Sequence, residues 1–310
     1  MILEQISNDL DLTPSFILNV AAGASHEYKV YKIRKRDGGL RSISHPSRRL
    51  KALQRWLLAN VIERLPVHES AAAYRHNHSI LDNARLHQAS RYLLRMDLTD
   101  FFPSITEQDI QNYIRENRVL FRDWTTADVF VFCRLVCRHS HLTIGAPTSP
   151  AMSNAILYDI DVRIHALCTK MGVKYSRYAD DLFFSTSSAN VLRQIEEEVA
   201  KVIAESKLPA KLTVNPSKTR HSSRKGLRRV TGIVLGSDGK AHVGRRLKRH
   251  IRGLIFRLGS LDGPSRASLA GMIAYATGFD PQFMNSLISK YGLPKVREAM
   301  RRSGESKSAS

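Results

Sequence analysis

Apolar positions recur along the chain with two periods. In EYKVYKIRKRDGGLRSISHPS (27–47), Tyr28, Val30, Tyr31 and Ile33 precede Asp37-Gly38-Gly39, and Leu40 and Ile43 follow. That alternation predicts a β-hairpin closed by a Gly-rich turn, with basic residues crowding both arms. Leu53, Trp56, Leu57, Val61 and Leu65 then fall at helical spacing up to Pro66, which predicts one amphipathic helix. RYLLRMDL (91–98) reads as a buried strand that delivers Asp97 at its end, and residues 106–141 as mostly helical. After Gly145 a loop runs into a helix carrying Ile156, Ile160 and Ile164. Residues 175–185 read as strand, tight turn and strand, with Asp180 and Asp181 at the turn. A helix over 191–206 would bury Leu192, Ile195, Val199, Val202 and Ile203. LTVN (212–215) and RRVTGIVLG (228–236) read as short strands, a basic helix begins near Gly244, and the closing GESKSAS reads as disordered. This order predicts an α+β fold, an antiparallel sheet with helices packed on one face.

Composition narrows the partners. With 310 residues, 43% of them hydrophobic, the chain can bury one large core or two to three smaller ones. A formal charge of +20 and a pI near 10.2 call for a polyanion, either nucleic acid or an anionic membrane surface. Residues 211–260 hold 14 Lys or Arg and a single acid, Asp238, yet remain threaded with apolar residues and so read as folded. No apolar run approaches the roughly 20 residues of a membrane-spanning helix, and MILEQISNDLDL lacks the basic and apolar regions of a signal peptide. Cys133, Cys137 and Cys168 form no CxxC and cannot all pair. Within VFVFCRLVC the first two read as buried free thiols and not as zinc ligands. A cytoplasmic location and no membrane partner are expected.

The acidic residues bring in chemistry. Asp97 ends a strand, and Asp180 and Asp181 sit together at a hairpin turn; if that strand lies beside the hairpin, the three carboxylates converge. Crowded carboxylates resist ionisation unless a cation offsets them. Oxygen ligands suit Mg2+ or Mn2+ better than zinc. Two such ions about 3.5–4 Å apart activate a hydroxyl and stabilise a leaving pyrophosphate. Aspartates also favour turns for purely conformational reasons, so the pair needs its neighbourhood.

That neighbourhood resembles a known family. Tyr178-Ala179-Asp180-Asp181 is similar to the YxDD motif of reverse transcriptases, and LRMDLTDFFPSI (94–105) to their first palm motif, with Asp97 as its metal ligand. GAPTSP from Gly145 is similar to the second motif and LTVNPSKT (212–219), with Lys218, to the fourth. Asn83-Ala84-Arg85-Leu86-His87 fits the NAxxH pattern and Val230-Thr231-Gly232 the VTG pattern of retron reverse transcriptases, as does the compact length. The resemblance implies a right-hand polymerase: N-terminal helices and fingers over 1–90, a palm over 91–240 with a helical fingers-side insertion about 106–141, and a basic helical thumb with its tail over 241–310. It also implies that part of a structured partner RNA is copied from dNTPs into DNA. Synthesis would start at a guanosine 2′-hydroxyl and yield branched msDNA, with a retron effector protein and a role in phage defence.

By the same resemblance, Asp97 and Asp180 are the main metal ligands, with Asp181 and the Leu98 carbonyl beside them. Lys35 and Arg41 grip the triphosphate, Phe102 bars a ribose 2′-hydroxyl, the Gly145 backbone approaches the nucleotide, and Lys218 serves the pyrophosphate. Asn83, His87, Val230, Thr231 and Gly232 would bind RNA, together with Arg245, Arg246, Lys248, Arg249 and Arg252 on the basic helix, which Arg257 extends. One position departs from the pattern: Ile144 stands where many reverse transcriptases carry Gln. Rival readings are a reverse transcriptase of group II intron or diversity-generating type, and a non-catalytic RNA-binding scaffold or antitoxin.

Overall fold

The structure is a computed structural model that describes residues 1–34 and 38–301. The predicted turn residue Asp37, the candidate Lys35 and the GESKSAS tail lie outside the described residues. The chain forms two compact units, 1–78 with 94–221, and 79–93 with 222–310.

In the first unit, β1 (Tyr28–Arg34) and β2 (Leu40–Pro46) pair antiparallel from Tyr28↔Pro46 to Arg34↔Leu40. Ser47 caps the helix Arg48–Asn60 by accepting from the Leu50 N–H; Leu53, Trp56 and Leu57 are buried as the spacing predicts, and Leu50 joins them. The helix ends earlier than the pattern suggests. The Asn60 amide takes the Trp56 carbonyl (3.0 Å), Val61 leaves helical geometry at φ −122°, and Leu65 is extended at ψ 149°, as a residue preceding proline prefers. Ile62, in the short turn Ile62–Arg64, takes the buried place assigned to Val61.

Strands β3 (Tyr92–Asp97), β4 (Lys174–Tyr178), β5 (Asp181–Thr186) and β6 (Arg220–Ser223) form a sheet in the order β4-β5-β3-β6. The strand ending at Asp97 is therefore the direct neighbour of the hairpin strand that begins at Asp181. Helices Glu107–Glu116 and Thr126–Val136 each open on a reciprocal cap, Thr106 with Asp109 and Thr125 with Asp128. The single helix expected after Gly145 is two, Ser149–Ile156 and Tyr158–Lys170, because the fully buried Leu157 turns out of helical geometry at ψ 4°. Helix Val191–Ala204 buries Leu192, Ile195, Val199 and Ile203 but leaves Val202 half-exposed. LTVN does not form a strand. It makes one bridge, Leu98↔Val214, before Pro216, which has no N–H to continue a ladder, turns the chain into Pro216–Lys218.

The second unit has its own sheet, β7 (Arg228–Val230), β8 (Ile233–Leu235) and β9 (Ala241–His242), all antiparallel. RRVTGIVLG is thus a hairpin and not one strand. Its two-residue turn has Thr231 at φ 47° and Gly232 at φ 90°, the positive values that tight hairpins require. Helix Ile80–Gln88 packs on this sheet. Helices Arg245–Phe256, Gly263–Thr277, Pro281–Tyr291 and Leu293–Met300 enclose a separate core around Ile251, Ile255, Leu269, Ile273, Phe283 and Leu287. The fold is α+β, with three sheets among the described residues where the sequence suggested one.

Candidate active site

Pairing of Tyr178 with Asp181 leaves Ala179 and Asp180 as the turn of the β4–β5 hairpin, and Ala179 takes the left-handed value φ 57°. A buried polar network fastens this turn from beneath. The fully buried Arg177 donates to Asp161 through Nε (2.9 Å to Oδ1) and NH2 (2.6 Å to Oδ2). Its NH1 donates to Asn154 Oδ1 (3.0 Å) and to the Ala179 carbonyl (3.4 Å). Tyr175 donates its hydroxyl to Asp161 (2.7 Å), and Asn154 donates to the Ala73 carbonyl (2.9 Å). Every partner is satisfied by another, which is the condition for an ion pair to tolerate burial.

Main-chain bonds bring the motifs together. The Leu98 N–H donates to the Asp180 carbonyl (2.9 Å), and the Asn215 N–H to the Asp97 carbonyl (2.7 Å). Asp97 is buried and accepts from Lys218 Nζ on Oδ1 (2.9 Å). That bond is the main reason the Lys218 ammonium is held above its ordinary value, with burial opposing it and the three aspartates adding to it. Asp181 accepts from Arg95 Nε (2.9 Å) and NH2 (2.7 Å). Burial nevertheless pushes the Asp181 carboxyl up to about 6, with Arg95 pulling down and Asp180 and Asp97 pushing up. The Asp180 carboxyl is also raised, first by burial and then by Asp97, while Lys218 and Arg41 oppose the shift. No side chain among the described residues bonds Asp180. Nor do three metal-binding side chains converge on one point among those residues, since Asp97 and Asp181 are each turned to a protein cation.

The other nucleotide-site candidates are distributed around this cluster. Arg41 lies exposed on β2 opposite Ile33, with its charge felt at Asp180. Phe102 is half-buried in the turn Phe101–Ser104, 5.2 Å between ring centroids from Phe101, which takes the core position. Gly145 has φ 112°, and a Cβ there would collide with the Ser44 carbonyl. Ser44 in turn donates its N–H to the Ile144 carbonyl (2.8 Å). Close approach of the loop to β2 therefore demands the glycine, a reason the sequence did not disclose. Arg95 was missed although it stands two residues before Asp97, on the same face of the strand. Tyr74 was missed too: its backbone is left-handed at φ 60°, and its phenol is raised by burial and by Asp180.

Several RNA-binding candidates face inward. Asn83 and His87 on the helix Ile80–Gln88 are buried, as is Val230, so they present no surface to a ligand in this arrangement. The two marks meet instead, because Thr231 donates its hydroxyl to the Ile80 carbonyl (3.1 Å); the NAxxH helix carries the Thr231-Gly232 turn. On the basic helix Arg245, Arg246 and Arg249 are exposed. Lys248 turns inward to Asp280 (2.7 Å) and lies over the Phe283 ring (5.1 Å). Arg252 also lies over Phe283 (5.5 Å) and donates to Ser286 (3.3 Å). Arg257 caps the helix end. All three cysteines are free and buried. No helix of the described residues is long and apolar enough to cross a membrane.

Residues 33–242 match the family described as reverse transcriptase (RNA-dependent DNA polymerase). The chain is 34% identical over 291 residues to the retron Ec83 reverse transcriptase of Escherichia coli, spanning 92% of this chain and 93% of that one. It is 36% identical over 296 residues to the retron Mx162 reverse transcriptase of Myxococcus xanthus, spanning 83% of this chain and 59% of that one. Among solved structures, a telomerase from Candida albicans in complex with a fragment of telomeric RNA gives a TM-score of 0.49 at 12% identity, over 89% of this chain and 61% of that chain.

Proposed function

Because the chain belongs to the retron reverse transcriptases, and is therefore an RNA-directed DNA polymerase, we propose that it copies part of a structured non-coding RNA from a guanosine 2′-hydroxyl of that RNA, leaving branched msDNA. The observation that carries this reading is the Leu98–Asp180 main-chain bond, which joins Asp97, Asp180, Asp181 and Lys218 into one cluster. In the reaction the hydroxyl oxygen bonds the α-phosphorus of a dNTP, the bond to the pyrophosphate oxygen breaks so that pyrophosphate leaves, and the hydroxyl proton passes to solvent water.

The donor set suits a hard divalent cation. It is all oxygen, and Asp180 is raised by burial and by Asp97 with no side-chain partner among the described residues. Asp97, Asp180, Asp181 and the Leu98 carbonyl would hold two Mg2+ ions, or Mn2+ in their place. When bound, such ions supply activation of the hydroxyl and charge stabilisation at the leaving oxygens. Lys218, once released from Asp97, holds a positive charge and a proton beside the departing pyrophosphate. Arg95 keeps Asp181 oriented on its strand. Arg41, with Lys35, grips the triphosphate, Phe102 occupies the space a ribose 2′-hydroxyl would need, and Gly145 fixes the loop against β2 and lends its backbone to the nucleotide. Exposed Arg245, Arg246 and Arg249 follow the RNA–DNA backbone, with Lys248 and Arg252 supporting their helix. Asn83, His87 and Val230 support the Thr231-Gly232 turn as an RNA-recognition element.

On this reading residues 1–90 act as N-terminal helices and fingers, 91–240 as palm and 241–310 as thumb. The enzyme works in the cytoplasm with its RNA, its msDNA and a retron effector, in defence against phage. The test is expression with the native upstream DNA, followed by a denaturing gel of small nucleic acids with and without debranching enzyme. A short DNA that shifts on debranching and is lost in Asp97→Asn and Asp180→Asn, both still binding RNA, is expected. Primer extension on an RNA template without any branched DNA would indicate another priming mode, and RNA binding with no synthesis at all would favour a scaffold.

A further inference from the structure

A cavity of about 530 Å³ in the second unit is lined by Arg91, Tyr92, Ser223, Arg224 and Lys225. None of these residues belongs to the unit that carries the aspartates, and none is used by the mechanism above. Two short segments build it. The Arg224 N–H donates to the Arg91 carbonyl (3.0 Å), and the Arg224 guanidinium donates to the Ala89 carbonyl (2.5 Å). The Arg91 guanidinium lies over the Tyr92 ring (5.7 Å).

Charge is what distinguishes this cavity from an ordinary surface recess. Three of its five lining residues are cations and none is an acid. The fully buried Arg228 is held by the carbonyls of Ser90, which precedes Arg91, and of Leu235 and Gly236, with no carboxylate among its partners in the described residues and its Nε unpaired. Arg229, the next residue on the same strand β7, is exposed. Elsewhere in this unit cations find acids, as Lys248 finds Asp280 and Arg266 finds Glu298. Here guanidinium groups are spent on carbonyls, which leaves their full charge directed at whatever enters. Flat aromatic and guanidinium faces, a serine hydroxyl and three cations together match a phosphate–sugar backbone better than a carboxylate peptide.

We propose that the cavity bounded by Arg91, Tyr92, Ser223, Arg224 and Lys225 is a second RNA-holding site, which grips the phosphodiester backbone of the partner RNA with residues that take no part in polymerisation. It rests on the reading that the enzyme works on a structured partner RNA. Such a site anchors the RNA body while the copied segment moves.

The test measures binding alone, in the Asp180→Asn background so that no synthesis intervenes, with a synthetic RNA stem-loop lacking a primer terminus as the probe. Arg91→Gln/Arg224→Gln/Lys225→Gln is expected to lower affinity at least tenfold. The slope of log affinity against log salt should become shallower by about 2, since each phosphate contact contributes roughly 0.7–0.9. Lys225→Glu alone serves as the second variant; the side chain is exposed and bonds nothing among the described residues, so a fold defect cannot account for its effect. Unchanged affinity and slope in both variants would overturn the proposal. So would displacement of the stem-loop by inorganic phosphate at concentrations too low to act through ionic strength, which would make the cavity a small-anion site. Failure of the retron reading shows differently, as absence of branched DNA from the unmutated enzyme.

Discussion

Asp181 carries two hydrogen bonds from Arg95, yet its carboxyl is pushed up to about 6, because burial, with two neighbouring carboxylates, outweighs one guanidinium. The direction of its effect on cation binding follows. The folded pKa lies above the ordinary 3.8, so the charge is present above about 6 and is lost as pH falls through it. Metal binding must then displace a proton. The divalent-ion concentration giving half-maximal DNA synthesis should therefore rise as pH is lowered from about 7.5 to about 5.5, with proton release on Mn2+ binding as a readout independent of turnover. Asp181→Asn should flatten that pH dependence. Lys218→Gln should lower turnover by about 10²-fold, the low end for a lost proton donor, with little change in dNTP KM. Phe102→Ala should admit ribonucleotides, seen as alkali-labile product in primer extension.

The β4–β5 hairpin owes its turn to groups far from it in sequence. Arg177 and Asp161 share a fully buried ion pair that also reaches the Ala179 carbonyl. Arg177→Met leaves Asp161 buried with Tyr175 as its remaining side-chain donor among the described residues. Breaking such a pair costs about 3–5 kcal/mol, to be read as a lowered urea midpoint, and the displaced turn should weaken Mn2+ binding as well. The local pattern had made the hairpin itself legible: two alternating runs separated by Ala179-Asp180 leave little choice of turn. The same held for Asp97 at the end of β3 and for the mostly helical character of residues 106–141, although the break that separates the helices capped by Thr106 and Thr125 was not foreseen. What the pattern could not convey was pairing at a distance. Arg95 reads as one more exposed basic residue until β5 lies next to β3. Arg177 reads as surface charge until Asp161 is found behind it. That Asn83 and His87 are buried could not be read locally, because the sheet β7–β9 on which their helix packs comes more than a hundred residues later. The breaks at Val61 and Leu157 were equally hidden, because apolar spacing runs through both without interruption.

At the scale of the molecule, an excess of +20 charges is not spread as a uniform coat. The helices that follow Gly244 turn some of their cations inward. Asp280, itself buried, accepts from the Val243 N–H (3.1 Å) and holds Lys248 (2.7 Å), fixing the start of the helix whose Arg245, Arg246 and Arg249 face outward. Asp280→Asn should therefore weaken RNA binding several-fold without removing any of those three arginines, and should leave the salt slope near its original value, because the number of phosphate contacts is unchanged. Loss of slope would mean that the helix had swung away altogether. The motifs along the sequence disclosed the family; they did not disclose which basic residues are free to meet nucleic acid, since that depends on which acids the fold brings to them.

The three cysteines have a practical consequence. Cys133 and Cys168 are pushed up to about 12 and Cys137 well above its ordinary value, each chiefly by burial, so none offers an accessible thiolate near neutral pH. The native chain should therefore be silent to maleimide dyes. A cysteine introduced at the exposed Val119 would be the single labelling position, with no background thiols to remove, and the motion of this enzyme along its template could be followed by fluorescence in an otherwise unmodified protein.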